Sequence, residues 1–306
     1  MKKKDKKINT ILDKIQGLPA LPSTVKEVMD VISDPESTVN EIVKAIDPSL
    51  ATKILQVVNS PYYRRYTNVK SLEHAVSLLG FKTVKELVTG ISLLKIFPHQ
   101  QKTDFDYEGF WRHSLLIAGI AKILAKIIKY YETDRLYTAA LIHNIGKVLI
   151  GLYMSEYLGE IKRLTREEGL RSREAEKKVL GLDHAEIGGM AGEKWELPED
   201  FVKIIRYHNK PHKLHEELDL LKLCLLINYA ANIVNKLNIP DSAEMIEKIE
   251  KTGKMLIGLI KETFKPEKVN VDDWETMIQS ELELLIETVE GMLSLLVIPA
   301  KEPSLQ

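Results

Sequence analysis

The sequence predicts an all-α protein on three observations. Apolar residues recur with the helical period in nearly every periodic segment, strictly alternating β-branched runs are absent, and helix-start and helix-stop residues punctuate the chain. With 306 residues, 44% hydrophobic and 28% charged, the chain can bury a large core. It also exceeds the size at which one core stays compact, so the expected architecture is a two-lobed helical bundle.

Residues 1–7 are a basic tail, expected to be solvated. Val25, Val28, Met29 and Ile32 then fall at i, i+3, i+4, i+7 after Ser23 as N-cap, and Asp34-Pro35 ends that helix. Thr38 and Glu41 carry a capping-box signature for a short helix through Ile46. Asp47-Pro48 pairs an N-cap with a proline at the first helical position, and Asn59-Ser60-Pro61 closes the helix that follows. Leu72, Ala75, Val76 and Leu79 form the next stripe, with Gly80 as the terminating glycine. Thr83 and Glu86 box a helix whose buried face is Leu87, Val88, Ile91 and Leu94. The polar, aperiodic stretch 98–107 reads as a linker, which sets an N-terminal lobe at 8–97 and a second lobe at 108–215, completed by helices within 216–306. The second lobe opens with Phe110-Trp111 on a long helix to about Tyr130. Further helices are expected near 134–144, 155–168, 172–180, 184–195, 199–208, 216–237, 241–262 and 272–297.

Composition excludes several classes. Forty-three Lys and Arg against 44 Asp and Glu leave a net charge of −1, so no chain-wide field draws the protein onto nucleic acid or an anionic membrane. The single cysteine, Cys224, sits in an apolar run and reads as packing; it admits neither an internal disulfide nor a CxxC metal motif. No apolar stretch follows the basic start, and no run approaches the ~20 apolar residues of a bilayer span, so a cytoplasmic location is expected.

Four of the eight histidines lie on apolar stripes. His113 shares one with Leu116, Ile117, Ile120 and Leu124; His143 follows the small pair Ala139-Ala140; His184 lies with Ile187, Gly188, Ala191 and Trp195; His208 lies with Phe201, Ile204 and Ile205. Inward imidazoles on successive helices either pair singly within the core or converge on one polar pocket, as in bundle metal sites.

His143-Asn144-Ile145-Gly146-Lys147, with His113 upstream, resembles the pattern of HD-type metal-dependent phosphohydrolases. Leu18-Pro19-Ala20-Leu21-Pro22, the run Asp47 to Ser60, and Ala75-Val76-Ser77-Leu78-Leu79-Gly80 are similar in order and spacing to the HDOD family, the HD-related output domain of bacterial signalling proteins. His184-Ala185-Glu186-Ile187-Gly188, Trp195-Glu196-Leu197-Pro198 and Tyr207-His208-Asn209 continue the resemblance over roughly residues 14–215. It implies an active-site carboxylate where this chain has Asn144, a second one at Asn232, and in some relatives a second histidine at Asn209. A neutral asparagine cannot bridge two cations as a carboxylate does, so hydrolysis, bound metal and other cofactors are not expected. Asp183 and Glu186 flank His184 and either substitute for the missing acids or merely cap a helix. The resemblance places Lys147 beside a substrate phosphate; read locally, Gly146 marks a bend at a helix end and Lys147 a solvated charge.

The expected pocket is therefore a degenerate one of His113, His143, Asn144, Lys147, His184, His208, Asn209 and Asn232. The expected function is a non-catalytic signalling or scaffolding module that binds a protein partner or a small phosphorylated ligand. A surviving phosphohydrolase acting on a nucleotide or cyclic dinucleotide is the first alternative. A nucleic-acid binder using Tyr62-Tyr63-Arg64-Arg65-Tyr66 and the basic tail is the second. Arg64 and Arg65 are the candidates for partner contact, on the N-terminal lobe and the groove where it meets the second lobe.

Overall fold

The computed structural model describes residues 2–20, 26–27, 30–31, 34, 36–46, 48–59, 69–81, 83–84, 87–88, 104–237, 243–264 and 271–294. Their regular structure is helical throughout: α1 (Lys2–Gln16), α2 (Val39–Ala45), α3 (Pro48–Val58), α4 (Leu72–Leu79), α5 (Tyr107–Ile127), α6 (Thr133–Ile142), α7 (Ile145–Tyr153), α8 (Leu158–Glu167), α9 (Ser172–Leu180), α10 (His184–Lys194), α11 (Glu199–Tyr207), α12 (Leu218–Leu237), α13 (Ala243–Phe264) and α14 (Val271–Ser294). Short 3-10 turns at Ser155–Tyr157 and Pro211–Leu214 link α7 to α8 and α11 to α12.

The chain divides into two compact units, Met1–Pro22 with Gln100–Ser280, and Ser23–His99 with Glu281–Gln306. This corrects the sequence-based division at both ends of the chain. The basic tail is not a loose extension: it is the first turns of α1, which packs on α9 and α10 in the first unit. Lys14 donates to the Tyr153 carbonyl (2.8 Å) and Lys194 to the carbonyl of Gln16, while the Trp195 indole donates to the Pro19 carbonyl (3.0 Å). At the other end, residues 281–306 group with 23–99 rather than with the second lobe.

In the first unit, α5 is the central helix. Trp111, Leu115, Ile117, Ile120 and Leu124 are buried along it, and α6 and α12 pack on it. Two stretches, Arg135–Tyr153 and Leu218–Leu237, reach the length and hydropathy of a membrane span, contrary to the reading that no run approaches one. They are 83% and 61% buried inside the protein, as core segments are. Cys224 is fully buried, as its apolar run implies.

In the second unit, the capping box of α2 forms as its sequence predicts: the Thr38 hydroxyl accepts from the Glu41 amide (3.4 Å) while the Glu41 carboxylate accepts from the Thr38 amide (2.7 Å). Asn59 ends α3 and bonds outward as well. Its amide donates to the carbonyls of Leu55 and Val69, and its Oδ1 accepts from the Val69 amide, each at 2.8 Å. Gly80 closes α4 at φ 83°, where a side chain would be strained. The helix expected from Val25 to Ile32 and the apolar face ending at Leu94 lie largely outside the described residues, although Val84, Leu87 and Val88 are buried.

Candidate functional site

The expected helix over 134–144 is interrupted. α6 ends at Ile142, His143 and Asn144 form a tight turn, and a helix that the periodicity did not reveal, α7, starts at Ile145. Gly146 is therefore not a bend at a helix end; it lies in the first turn of α7. A Cβ there would stand 1.8 Å from the carbonyl oxygen of His184, and one on Gly188 would meet Ile205 at 2.8 Å and the Gly146 amide at 3.0 Å. Two glycines thus let α7 and α10 touch through their backbones, which brings the His143 turn against the start of α10. α11 ends at Tyr207 and delivers His208 and Asn209 to the same place.

His143, His184 and His208 are 2%, 4% and 3% exposed and form one cluster. The His143 and His208 rings lie edge to face with centroids 5.0 Å apart; His184 and His208 are 5.5 Å apart. Each ring is held by its Nδ1: His143 against the Ala140 carbonyl (2.6 Å), His208 against the Ile205 carbonyl (2.8 Å) and His184 against Oε2 of Glu176 (2.6 Å). Carbonyl and carboxylate oxygens accept only, so Nδ1 carries the proton in all three. Burial holds His208 well below the usual histidine range and pushes His143 down to about 3, helped in both cases by neighbouring positive charge. Both rings are neutral, with the lone pair on Nε2. Asn209 faces one of those lone pairs and a third ring, its Nδ2 lying 2.8 Å from Nε2 of His208 and 3.1 Å from Nε2 of His184.

His113 stands nearby on α5, half-buried, and lowered to about 4 by burial and by the Lys147 charge. Lys147 is not the solvated end-of-helix charge of the local reading. It lines a cavity from the first turn of α7, burial lowers its pKa, and the opposing charge it feels is Glu176. Among the described residues its ammonium makes no hydrogen bond. Glu176 is 3% exposed. Burial alone would raise its carboxyl, but the hydrogen bonds it accepts from the His184 ring and backbone amide, together with the charge of Lys147, bring it down to about 2.

The cavity, about 1190 Å³, is lined at its polar end by Arg112, His113, Asn144, Lys147, Lys162, Arg171, Glu176, Asn209 and Asn232, with apolar walls that include Phe105, Phe110 and Leu116. Three of its cations are already engaged: Arg112 with Glu108 (3.1 Å), Lys162 with the Asp104 carbonyl (2.7 Å) and Arg171 with Glu174. Asn144 and Asn232 are buried in its wall, and Gly253 of α13 approaches Asn232 so closely that a Cβ would stand 2.7 Å from Oδ1.

A divalent metal fits this donor set poorly. Among the described residues no group of three or more His, Cys, Asp or Glu is arranged to hold a metal ion. The carboxyl positions are amides, and Asn209 lies against two of the imidazole lone pairs that a cation would need. Asp183 and Glu186 do not supply the missing charge. Oδ1 of Asp183 accepts from the Glu186 amide (3.0 Å) and the Glu186 carboxylate accepts from the Asp183 amide (2.9 Å), a capping box on α10, with Lys177 bound to Glu186 at 2.9 Å.

The structure thus brings His113, His143, Asn144, Lys147, His184, His208, Asn209 and Asn232 into one region of one unit. Arg64 and Arg65 lie outside the described residues. Sequence reasoning missed Glu176, although a signal was present: it precedes Val179 and Leu180 by three and four residues on α9 and so lies on that helix's buried stripe. It also missed the cavity's basic residues Arg112, Lys162 and Arg171.

Comparison with known proteins gives a consistent picture. The sequence model of the HDOD domain matches residues 18–211. A protein of Treponema pallidum (strain Nichols), described only as uncharacterized, is 27% identical over 224 residues, 72% of this chain; the chain spans 43% of that relative's length. A solved HDOD domain protein of unknown function from Geobacter sulfurreducens superposes with a TM-score of 0.78 at 20% identity, over 94% of this chain and 98% of its own. A protein of Shewanella amazonensis SB2B, provisionally named a phosphohydrolase, superposes with a TM-score of 0.71 at 26% identity, over 92% and 97%.

Proposed function

The chain belongs to the HDOD domain family, and we propose that it is a non-catalytic signalling module of the cytoplasm that binds a small phosphorylated ligand in its degenerate HD pocket. The observation that carries this reading is Lys147, a half-buried cation in a cavity wall without a hydrogen-bonding partner among the described residues, beside amides where a hydrolase would keep carboxylates. A phosphate would give this ammonium a charge-assisted partner. Lys162, which lines the same cavity and donates to the neutral Asp104 carbonyl, keeps its positive charge and favours the same sign of ligand. The amides of Asn144, Asn209 and Asn232 supply polarity without the negative charge that would repel it.

Chemically the pocket binds and does not activate water. Hydrolysis by the HD mechanism needs a metal-bound hydroxide held by carboxylates, and Asn144 and Asn232 offer neutral carbonyls at those positions. Calorimetric titration with inorganic phosphate, pyrophosphate and nucleoside monophosphates tests the reading. Saturable binding of at least one of them, weakened tenfold or more in Lys147→Met, supports it; binding unaffected by that substitution, or none, overturns it. A protein partner at Arg64 and Arg65 is the companion proposal, tested by charge reversal there in a pull-down, with loss of partner as the expected result and retention as its refutation.

A further inference from the structure

Asn209 has a role that neither ligand binding nor helix capping requires. It follows His208 at the end of α11, faces the cavity, and reaches back to the imidazoles behind it. The direction of its side chain is fixed by the rings it meets. His208 gives its Nδ1 hydrogen to the Ile205 carbonyl and is kept neutral by burial, so its Nε2 is an acceptor and the atom 2.8 Å away must donate. An amide oxygen there would oppose one lone pair with another, so the nitrogen faces the ring. The same nitrogen carries a second hydrogen, and 3.1 Å away lies Nε2 of His184, whose own Nδ1 hydrogen is given to Glu176. One NH2 group therefore has two hydrogens and two ring nitrogens within their reach.

We propose that Asn209 is a positioning residue that substitutes for a metal ion: its amide nitrogen cross-links Nε2 of His184 and Nε2 of His208, holding the imidazoles together while occupying the two lone pairs a cation would use. A metal would link these rings by accepting their lone pairs; the amide links them by donating hydrogens into them. The cluster is then assembled without metal and closed to it. Glu176 supports the latch from behind, because its carboxylate takes the Nδ1 hydrogen of His184 and so orients Nε2 toward Asn209. Asn228 supports it from the other side by donating to the His208 carbonyl (2.6 Å) and the Cys224 carbonyl (2.8 Å), tying the end of α11 to α12.

The direct test uses the unmodified protein, labelled with ¹⁵N in histidine and asparagine. Two N–H···N hydrogen bonds from one amide give scalar couplings between Asn209 Nδ2 and Nε2 of both His184 and His208, with both Nε2 shifts in the range of unprotonated nitrogen. Protonated Nε2 atoms, or couplings to neither ring, would overturn the latch. The second test adds Co(II) to the wild type, to Asn209→Ala and to Asn209→His. The latch predicts visible ligand-field absorption in the histidine variant, abolished by His184→Ala, and none in the wild type; stoichiometric absorption in the wild type at these histidines would refute it. The couplings do not depend on phosphate, so the ligand-binding reading can fail while the latch stands.

Discussion

At Gly146 there is no room for a methyl group. Because the clash at 1.8 Å is with backbone, no rotamer change relieves it, and Gly146→Ala should cost more than about 2 kcal/mol and displace the His143 turn. Gly258, exposed within α13 with nothing within 4 Å, is the contrast: Gly258→Ala should stabilise by about 0.5–1 kcal/mol through helix propensity alone. Urea denaturation of both variants checks the pair, and equal effects would contradict the backbone contact. The histidines make a second prediction. In the native state His113, His143 and His208 stay neutral far below 6.5, whereas in the unfolded chain they take up protons near that value. Between pH 6.5 and about 4 the unfolded state binds more protons, so stability is fully present above 6.5 and falls as the pH drops, by up to about 1.4 kcal/mol per pH unit for each ring. Glu176, lowered to about 2, adds loss in the same direction below 4.5. Denaturation midpoints at pH 7 and pH 5 measure this, and equal midpoints would contradict neutral burial. The imidazoles were legible because each lies on its helix's apolar stripe. Lys147 was not, because nothing local distinguishes a solvated charge from one half-covered by a helix that arrives from elsewhere in the chain; Glu176 stood on the buried stripe of α9, but its partner His184 comes from another helix.

Among the elements, those with strong caps were legible to within a few residues. α2 with its Thr38–Glu41 box, α3 from Pro48, α9 from Ser172 and α10 from His184 begin as their sequences indicate. α7 was missed because its start carries no side-chain cap: Asn144 makes no capping hydrogen bond, and the apolar pattern runs through the turn without a break. α1 was missed because five lysines in seven residues read as solvated tail, whereas its packing on α9 and α10 and the Lys14 bond to the Tyr153 carbonyl depend on partners far along the chain. Asn59 shows what a terminating residue can do beyond ending a helix. Two of its three hydrogen bonds join the end of α3 to Val69, and the third returns to the Leu55 carbonyl within α3. Asn59→Ala leaves the Val69 amide and two carbonyls without these partners and should destabilise by about 1–3 kcal/mol. Asn59→Asp, which keeps the acceptor but loses the donor, should recover part of that loss. Thermal melts of the two variants decide it; an alanine variant as stable as wild type would show that Asn59 does not hold the end of α3 to Val69.

For the whole molecule, periodicity announced helices but not their partners. Residues 281–306 and 1–22 each group with a unit that lies elsewhere in the chain, a pairing set by which apolar faces meet and invisible in any single helix. The residues of the histidine cluster and its cavity, by contrast, were largely readable, because its histidines and asparagines stand in recognisable motifs. The account rests on that region being a pocket without metal chemistry. The most direct measurement is elemental analysis of the full chain, purified without a histidine tag and without chelator. The account predicts Mn, Fe and Zn far below one atom per chain. One or more of these metals retained per chain, and lost together with any phosphate-releasing activity when chelator is added, would contradict it.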